Sequence, residues 1–377
     1  MKRPAWTQRK ERSNIPLMRL MTWLSLRLGR RVSRIVLSPA SAYFMLFSPA
    51  ACKASRAYLT RALGRPATWL DVWRHLIVFG ATIHDRIYLL NDRFDLFDLR
   101  VHGREVMRDT LAEGRGAFLM GAHLGSFEVM RALGRTQPNL RVAITMYEDN
   151  ARRTNKILAS INPAAKQAVI GLGQVDSMLK VREHLDTGSM IGILADRTIL
   201  GDARDSMRWV DFLGAPAAFP LGPLHMAAML KRPVIFMTGL YRGGNRYDIH
   251  FETLADFSRV ERGKRGAEVQ AALTRYAALL EKHCRAAPYN WFNFFDFWHA
   301  EPIPDGAAAS GPQTVAATRV EVETAPEVAA TVQTQPRGEA TAEPVARQAS
   351  RRLATPLTSS ADLTAINTTI TTTSRNT

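Results

Sequence analysis

The run His123-Leu-Gly-Ser-Phe-Glu128 places an imidazole and a carboxylate five positions apart. These residue types suit a general base and its orienter. A carboxylate bonded to one ring nitrogen fixes the tautomer, so the other nitrogen can take a proton from an attacking hydroxyl while the imidazolium formed is stabilised. The spacing alone is weak: nine histidines among 377 residues of which 34 are acidic yield roughly 0.8 such pairs by chance. Position adds weight. Ala117 to Ala122, AFLMGA, reads as a short buried strand after Gly116, and Phe127 to Leu133 reads as a helix ending at Gly134, with Ser126 a natural N-cap. The imidazole therefore stands where a strand gives way to a loop, and the positive end of the next helix favours ionised Glu128. No GxSxG elbow is present, so a covalent serine acyl-enzyme is not indicated. On these residues alone, a strand-capping histidine and a surface glutamate account for the pair equally well.

The elements that must carry this pair alternate along the chain. Residues 53–95 read as mainly helical, with Val72, Leu76, Phe79 and Ile83 recurring at three or four. Further apolar strands are expected at Arg141–Tyr147, at Met190–Ala195 after the turn Thr187-Gly188, at Val234–Thr238 after a helix over Leu221–Leu230, and at Tyr247–Phe251. Val269, Leu273, Tyr276 and Leu280 mark a late helix. Strands separated by helices imply an α/β fold, a central sheet flanked by helices with its chemistry at the strand ends. Cys52 and Cys284 have no CxxC or Cys/His neighbours, which excludes a disulfide-rich scaffold and a thiolate zinc site and points to a reducing compartment. The histidines show no HExxH or other ligand spacing, so no metal is expected.

The formal net charge of +16 calls for an anionic partner or surface. Residues 1–36 hold ten basic side chains against Glu11 alone. From Asn14, an N-cap with Pro16 just inside, Leu17, Met21, Leu24 and Leu28 follow helical spacing, and Arg19, Arg27, Arg30 and Arg34 share a stripe. A helix lying in an anionic bilayer interface is the expectation, with a solvated charged helix as the alternative. The uncharged run Ile35–Ala51 is marginal for a bilayer span, and an interfacial hairpin or a buried core helix competes with it. No secretory signal is indicated, and the preceding basic residues favour a cytoplasmic N-terminus. Glu301–Thr377 contains no Phe, Trp or Tyr and reads as a disordered tail. The expected organisation is a membrane-association segment over 1–52, a folded unit over 53–300 and the tail over 301–377. Because the charge adjoins apolar residues and no zinc-finger, RRM or KH pattern appears, nucleic acid is not an expected partner.

The run GAHLGSFEVMRALG resembles the His-x4-Glu motif of the lipid A biosynthesis (lauroyl/myristoyl) acyltransferase family, within the lysophospholipid acyltransferase superfamily. LDTGSMIGILADR and WVDFLGAPAAFPLGPLHMAAMLKRPVI are similar to later blocks of that family, and YNWFNFFDFW takes the place of its Trp-containing C-terminal block. The ordered set covers roughly Pro16 to Trp298. The resemblance implies a mixed central sheet of that superfamily's type. It implies transfer of a fatty acyl group from an acyl carrier protein or coenzyme A thioester, as co-substrate and without cofactor, to a hydroxyl of a membrane lipid. It makes His123 the general base, Glu128 its partner and Asp196 a further active-site acid. One departure stands out: Thr154 to Val181 lacks the arginine the family usually carries, leaving Lys166 as a substitute and Arg152, Arg153 and Arg197 as other cations.

Further expectations follow from that chemistry. The oxyanion needs fixed donors, from loop amides over Gly121–Gly125 or a nearby arginine. Arg197, Phe212 and Gly214 are candidates for substrate contact, Gly214 by allowing close backbone approach in an apolar acyl pocket; a plain turn packed on the core is the alternative. Asp196-Arg197 can also be a structural ion pair. Trp291, Phe292, Phe294, Phe295, Phe297 and Trp298 suit either a bilayer interface or core packing. An acidic acyl carrier protein would dock on Arg104, Arg108, Arg152, Arg153 or Lys156. The implied location is the cytoplasmic face of a bacterial inner membrane. Other readings are acylation of a different lipid (a phospholipid precursor, a mannosylated inositol lipid or an aryl-polyene-type lipid) and an inactive membrane scaffold.

Overall fold

In a computed structural model, residues 15–130, 140–147, 161–162, 169–173, 176–197 and 206–298 are described. Seven strands form the central sheet: β1 (Asp98–His102), β2 (Ala117–Gly121), β3 (Val142–Tyr147), β4 (Val169–Leu172), β5 (Met190–Leu194), β8 (Pro233–Tyr241) and β9 (Arg246–Asp256), in the order β1-β9-β8-β2-β5-β3-β4. From β8 across to β4 all neighbours are parallel, whereas β9 runs antiparallel to β8 and takes β1 with it. The sheet is therefore mixed, as expected. Every residue of β2 is buried, because a central parallel strand is covered on both faces and must be apolar throughout. A separate hairpin, β6 (Met207–Phe212) with β7 (Ala215–Pro220), was not expected, nor were the sheet's two edge strands. β1 alternates exposed and half-buried residues and β4 has four residues, so neither writes an apolar run.

Helices α1 (Ile15–Ser33), α2 (Leu37–Phe47), α3 (Pro49–Leu63) and α4 (Trp69–Leu90) precede the sheet, and α5 (Arg104–Ala112), α6 (Ser177–Asp186), α7 (Gly222–Met229) and α8 (Arg265–Ala286) are interleaved with it. Thr68 and Asp71 form a reciprocal capping box at the start of α4, which fixes the entry of this 22-residue helix. Among the described residues no single helix is long and apolar enough to cross a membrane. One bent pair, Arg19–Phe47 with Pro49–Leu63, meets the length and composition requirement jointly, with a 101° turn between its halves.

The arginine stripe of α1 does not face outward as a whole, and that expectation is corrected. Arg30 Nε and Nη2 donate to Asp85 Oδ1 and Oδ2 at 2.8 and 2.9 Å, and Arg34 Nη2 donates to Oδ2 at 2.8 Å. The Asp85 side chain is 0% exposed and those of the two arginines 11% and 19%. Tyr247 of β9 donates a further hydrogen bond to Asp85, and both arginines reach the carbonyl of Gly244. The turn at Gly29, with φ 78° inside α1, separates these inward arginines from the exposed Arg19 and Arg27. Helical periodicity groups residues on one face, but it does not say whether that face meets solvent or a buried carboxylate.

Much of what α1, α2 and the turn between them expose is apolar. Thr22, Ser25, Ser33 and Ser41 are buried, whereas Leu20, Trp23, Leu28, Ile35, Leu46 and Phe47 are exposed. The expected membrane-association segment thus buries these four hydroxyls and exposes apolar side chains together with Arg19, Arg27, Arg31 and Ser38. The expected tail, and residues 1–14, lie outside the described residues.

Burial alone would raise the Asp85 carboxyl, but His84, Arg30 and Arg34 together hold it below its ordinary value of 3.8. A depressed folded-state value stabilises the fold above pH 3.8 and loses that contribution as pH falls through it. Asp85→Asn leaves two arginines with no charged partner and is expected to cost about 3–5 kcal/mol at pH 7. Denaturant melts of both chains from pH 7 to 3 check this, because the loss should shrink toward the acid end.

Candidate functional site

Sheet register builds the site. β2 and β5 are parallel neighbours with Gly121 opposite Leu194, and Ala195 N donates to Gly121 O at 3.0 Å. Two residues past those ends, His123 and Asp196 stand side by side. His123 Nδ1 lies 2.8 Å from Asp196 Oδ1, and the His123 amide donates to Oδ2 at 3.0 Å. Trp291 Nε1 donates to the same Oδ2 at 2.9 Å. The carboxylate is 1% exposed, yet both oxygens accept hydrogen bonds, which is what a buried charge requires. Burial would raise Asp196, but His123, Arg197 and the indole N–H hold it well below the usual carboxylate range. Burial lowers His123, and Arg197 adds to this while Asp196 opposes it. The pair at neutral pH is thus an ionised carboxylate and a neutral ring with its proton on Nδ1. The ring is 32% exposed, and Nε2 has no hydrogen-bond partner among the described residues.

The chain after the last helix straps this pair in place. Asn290 O accepts from Gly125 N and His123 O accepts from Phe292 N, both at 2.8 Å, while Arg197 Nη2 donates to Phe292 O at 3.1 Å. Three residues, Asn290 to Phe292, therefore hold both the histidine loop and the Asp-Arg turn. His75 of α4, fully buried, meets the Trp291 carbonyl through Nε2 at 2.9 Å and Ser55 through Nδ1 at 2.8 Å. Burial pushes His75 down to about 4, so it is a neutral structural group at pH 7.

Glu128 does not occupy the place expected for it. It is buried in the helix that opens at Phe127, and its Oε1 lies 3.2 Å from Arg86 Nε of α4. No hydrogen bond joins His123 to Glu128; the carboxylate on the ring is Asp196. The His123–Asp196 contact spans 73 positions of sequence, and a motif of six residues could not display it. Arg197 forms no ion pair with Asp196 among the described residues; it lies over the Phe295 ring at 5.4 Å, and its Nε is buried without a hydrogen-bond partner. The N–H groups of His123, Gly125 and Ser126 are all committed to acceptors inside the protein. The cation, rather than those loop amides, keeps donors in hand.

Phe212 is fully buried against Phe219, Trp291, Phe297 and Trp298, under the site rather than on an open wall. Gly214 closes the β6–β7 turn with φ 76°, following Leu213 at φ 52°, a two-residue turn of the type that matches strand twist. A Cβ there would meet nothing within 4 Å, so the glycine answers to backbone conformation and not to close approach. Lys166, Arg152, Arg153 and Lys156 lie outside the described residues; Arg104 and Arg108 are exposed on α5. An apolar cavity of about 20 Å³ sits beneath Phe127 and Met130, lined also by Met107, Leu119 and Met237, and is too small for an acyl chain. Among the described residues one group has metal-ligand spacing, His102, Asp248 and His250 on β1 and β9, with donor atoms within 4.8 Å of one another. Asp248 is already paired with Arg242 and Arg246.

Sequence reasoning missed Arg86, Asn290 and the contact of Trp291 with Asp196. The aromatic run around Trp291 was visible, but nothing in it marks one indole as a hydrogen-bond donor to a residue 95 positions away.

Residues 76–300 match the family model described as bacterial lipid A biosynthesis acyltransferase. The matched stretch contains His123, Glu128, Asp196, Arg197 and Trp291. Among curated proteins, none matches the chain.

Two glycines with nearly equal φ separate conformational strain from collision. At Gly125, φ 75°, a Cβ would lie 2.1 Å from the carbonyl oxygen of Gly239. Gly214→Ala is expected to cost about 1–2 kcal/mol, the left-handed penalty alone. Gly125→Ala should cost clearly more, because the histidine loop must part from β8; thermal melts of the two variants measure the difference.

Proposed function

The chain belongs to the bacterial lipid A biosynthesis acyltransferase family, and from that premise we propose that it moves a fatty acyl group from an acyl carrier protein or coenzyme A thioester to a hydroxyl of a membrane glycolipid, with His123 as general base. The enzyme is an acyltransferase acting on a lipid acceptor. The observation that carries the mechanistic reading is the His123 Nδ1–Asp196 Oδ1 bond of 2.8 Å, which leaves Nε2 as the basic nitrogen on the exposed edge of the ring.

In the proposed reaction Nε2 takes the hydroxyl proton as the acceptor oxygen attacks the thioester carbonyl carbon. Asp196 stabilises the imidazolium without taking its proton. Arg197, whose Nε has no hydrogen-bond partner among the described residues, meets the oxyanion of the tetrahedral intermediate. Collapse breaks the carbon–sulfur bond, and the leaving thiolate takes the proton back from His123. The products are an ester and a free thiol. Glu128 is proposed to act through its ion pair with Arg86, fixing the helix that follows the histidine loop.

Membrane attachment through α1 and α2 belongs to the same proposal. A helix pair that buries Thr22, Ser25, Ser33 and Ser41 against the protein while Trp23, Leu46 and Phe47, with Ile35 between the helices, stay exposed suits a lipid environment, and the exposed Arg19, Arg27 and Arg31 suit anionic headgroups. On this reading the acceptor hydroxyl and the base meet at one interface, with the soluble donor arriving from the cytoplasmic side.

His123→Ala and Asp196→Ala are expected to abolish acyl transfer, and Arg197→Met to lower kcat by about 10²–10³-fold, all without loss of folding. Glu128→Gln is expected to retain the reaction at reduced rate. Mass spectrometry of lipids from a strain lacking the protein should find a species lighter by one acyl chain, restored by the wild-type chain and not by His123→Ala. An unchanged lipid profile, or activity of His123→Ala within a few-fold of wild type, overturns the reading. Leu46→Asp with Phe47→Asp should abolish co-flotation with anionic phospholipid vesicles while the melting temperature holds.

A further inference from the structure

We infer that Trp291 is a positioning residue of this reaction: its indole N–H fixes the buried Asp196 carboxylate so that Oδ1 is presented to His123 Nδ1. The inference rests on the reading of His123 as base and adds a third member to that pair, from the far end of the folded chain.

Asp196 Oδ2 accepts two donors, the Trp291 indole at 2.9 Å and the His123 amide at 3.0 Å, and this leaves Oδ1 alone facing the ring. A carboxylate with one oxygen so fixed cannot rotate about its Cβ–Cγ bond to offer the ring a different edge. The indole is itself immobilised. Trp291 is 0% exposed and packs edge-on against Tyr58, Phe212 and Phe297 at 4.9, 5.3 and 4.9 Å, and its carbonyl is held by His75. Packing alone asks only for an aromatic ring; the hydrogen bond asks for a nitrogen. Of the natural side chains, only indole supplies a donor on a ring of that size with no acceptor to compete for the proton.

The bond also sets the strength of the base. The indole N–H draws off part of the carboxylate charge, so less of it remains to stabilise a protonated ring. Removing the donor concentrates the charge at Asp196 and raises the pH at which His123 takes up its proton. At a given pH below that midpoint, less neutral base is then available.

The test uses the full chain in vesicles of anionic phospholipid, with Trp291→Phe keeping the ring and losing the donor. The His123 ring, labelled with ¹⁵N and assigned by comparison with His123→Gln, should titrate higher in the variant by about half to one pH unit. The acidic limb of kcat/KM should move by the same amount, with kcat down by about 10–100-fold and KM little changed. Phe297→Leu loosens the same aromatic packing and keeps the N–H, so it should leave the titration where it was. In the wild-type chain one of the seven tryptophan indole N–H resonances should shift in step with the His123 titration, a reading that needs no variant to fold. An unmoved His123 midpoint in Trp291→Phe, an equal movement in Phe297→Leu, or no indole resonance that follows the histidine overturns the inference. Retention of acyl transfer by His123→Ala would instead overturn the underlying assignment of the base, so the two failures read differently.

Discussion

A carboxylate with almost no access to water, Asp196, is the point on which the site depends. Taking an anion out of water is unfavourable by several kcal/mol unless fixed donors replace its hydration. Here the donors are a backbone amide, a ring nitrogen and an indole, drawn from the loop after β2 and from the segment after α8. Each donor is held by something else: the amide by the register of β2 and β5, the indole by an aromatic cluster, the ring by the carboxylate itself. The order of the histidine follows from satisfying the aspartate, and the loop inherits its shape from both.

The same logic repeats within α4. Asp85 is buried and ion-paired by Arg30 and Arg34, and the next residue, Arg86, reaches Glu128 in the helix after the histidine loop. One helix therefore joins the amino-terminal helices to the motif through consecutive charges of opposite sign. His75, one face of the same helix further back, fixes the carbonyl of Trp291. α4 is the common mount for the amino-terminal helices, the motif helix and the strap.

Much of the fold was legible because buried parallel strands write continuous apolar runs. AFLMGA and MIGILA are visible without structural knowledge, and each run ends one residue past its strand. His123 was legible for the same reason, standing at a strand end. Its partner was not. The Glu128 spacing is a local pattern, whereas the bond is made between strands that meet only when the sheet assembles, and Asp196 entered through family resemblance alone. The Arg30 and Arg34 positions fell on a helical stripe as read, but a stripe has no inside or outside until something packs on it; Asp85, in a different helix, decides that. Phe212 and Gly214 were visible as a loop, and what they serve, core packing and a tight turn, became plain only with their neighbours.

The strap Asn290–Phe292 has a bearing on how the chain matures. The sheet and its helices are encoded before residue 287, so a nascent chain can assemble them as it leaves the ribosome. Until Trp291 has also been translated and has docked, Asp196 lacks one of its donors and the histidine loop lacks both backbone bonds from the strap. Among the described parts of this polypeptide, the surroundings of Asp196 are therefore the last to be completed.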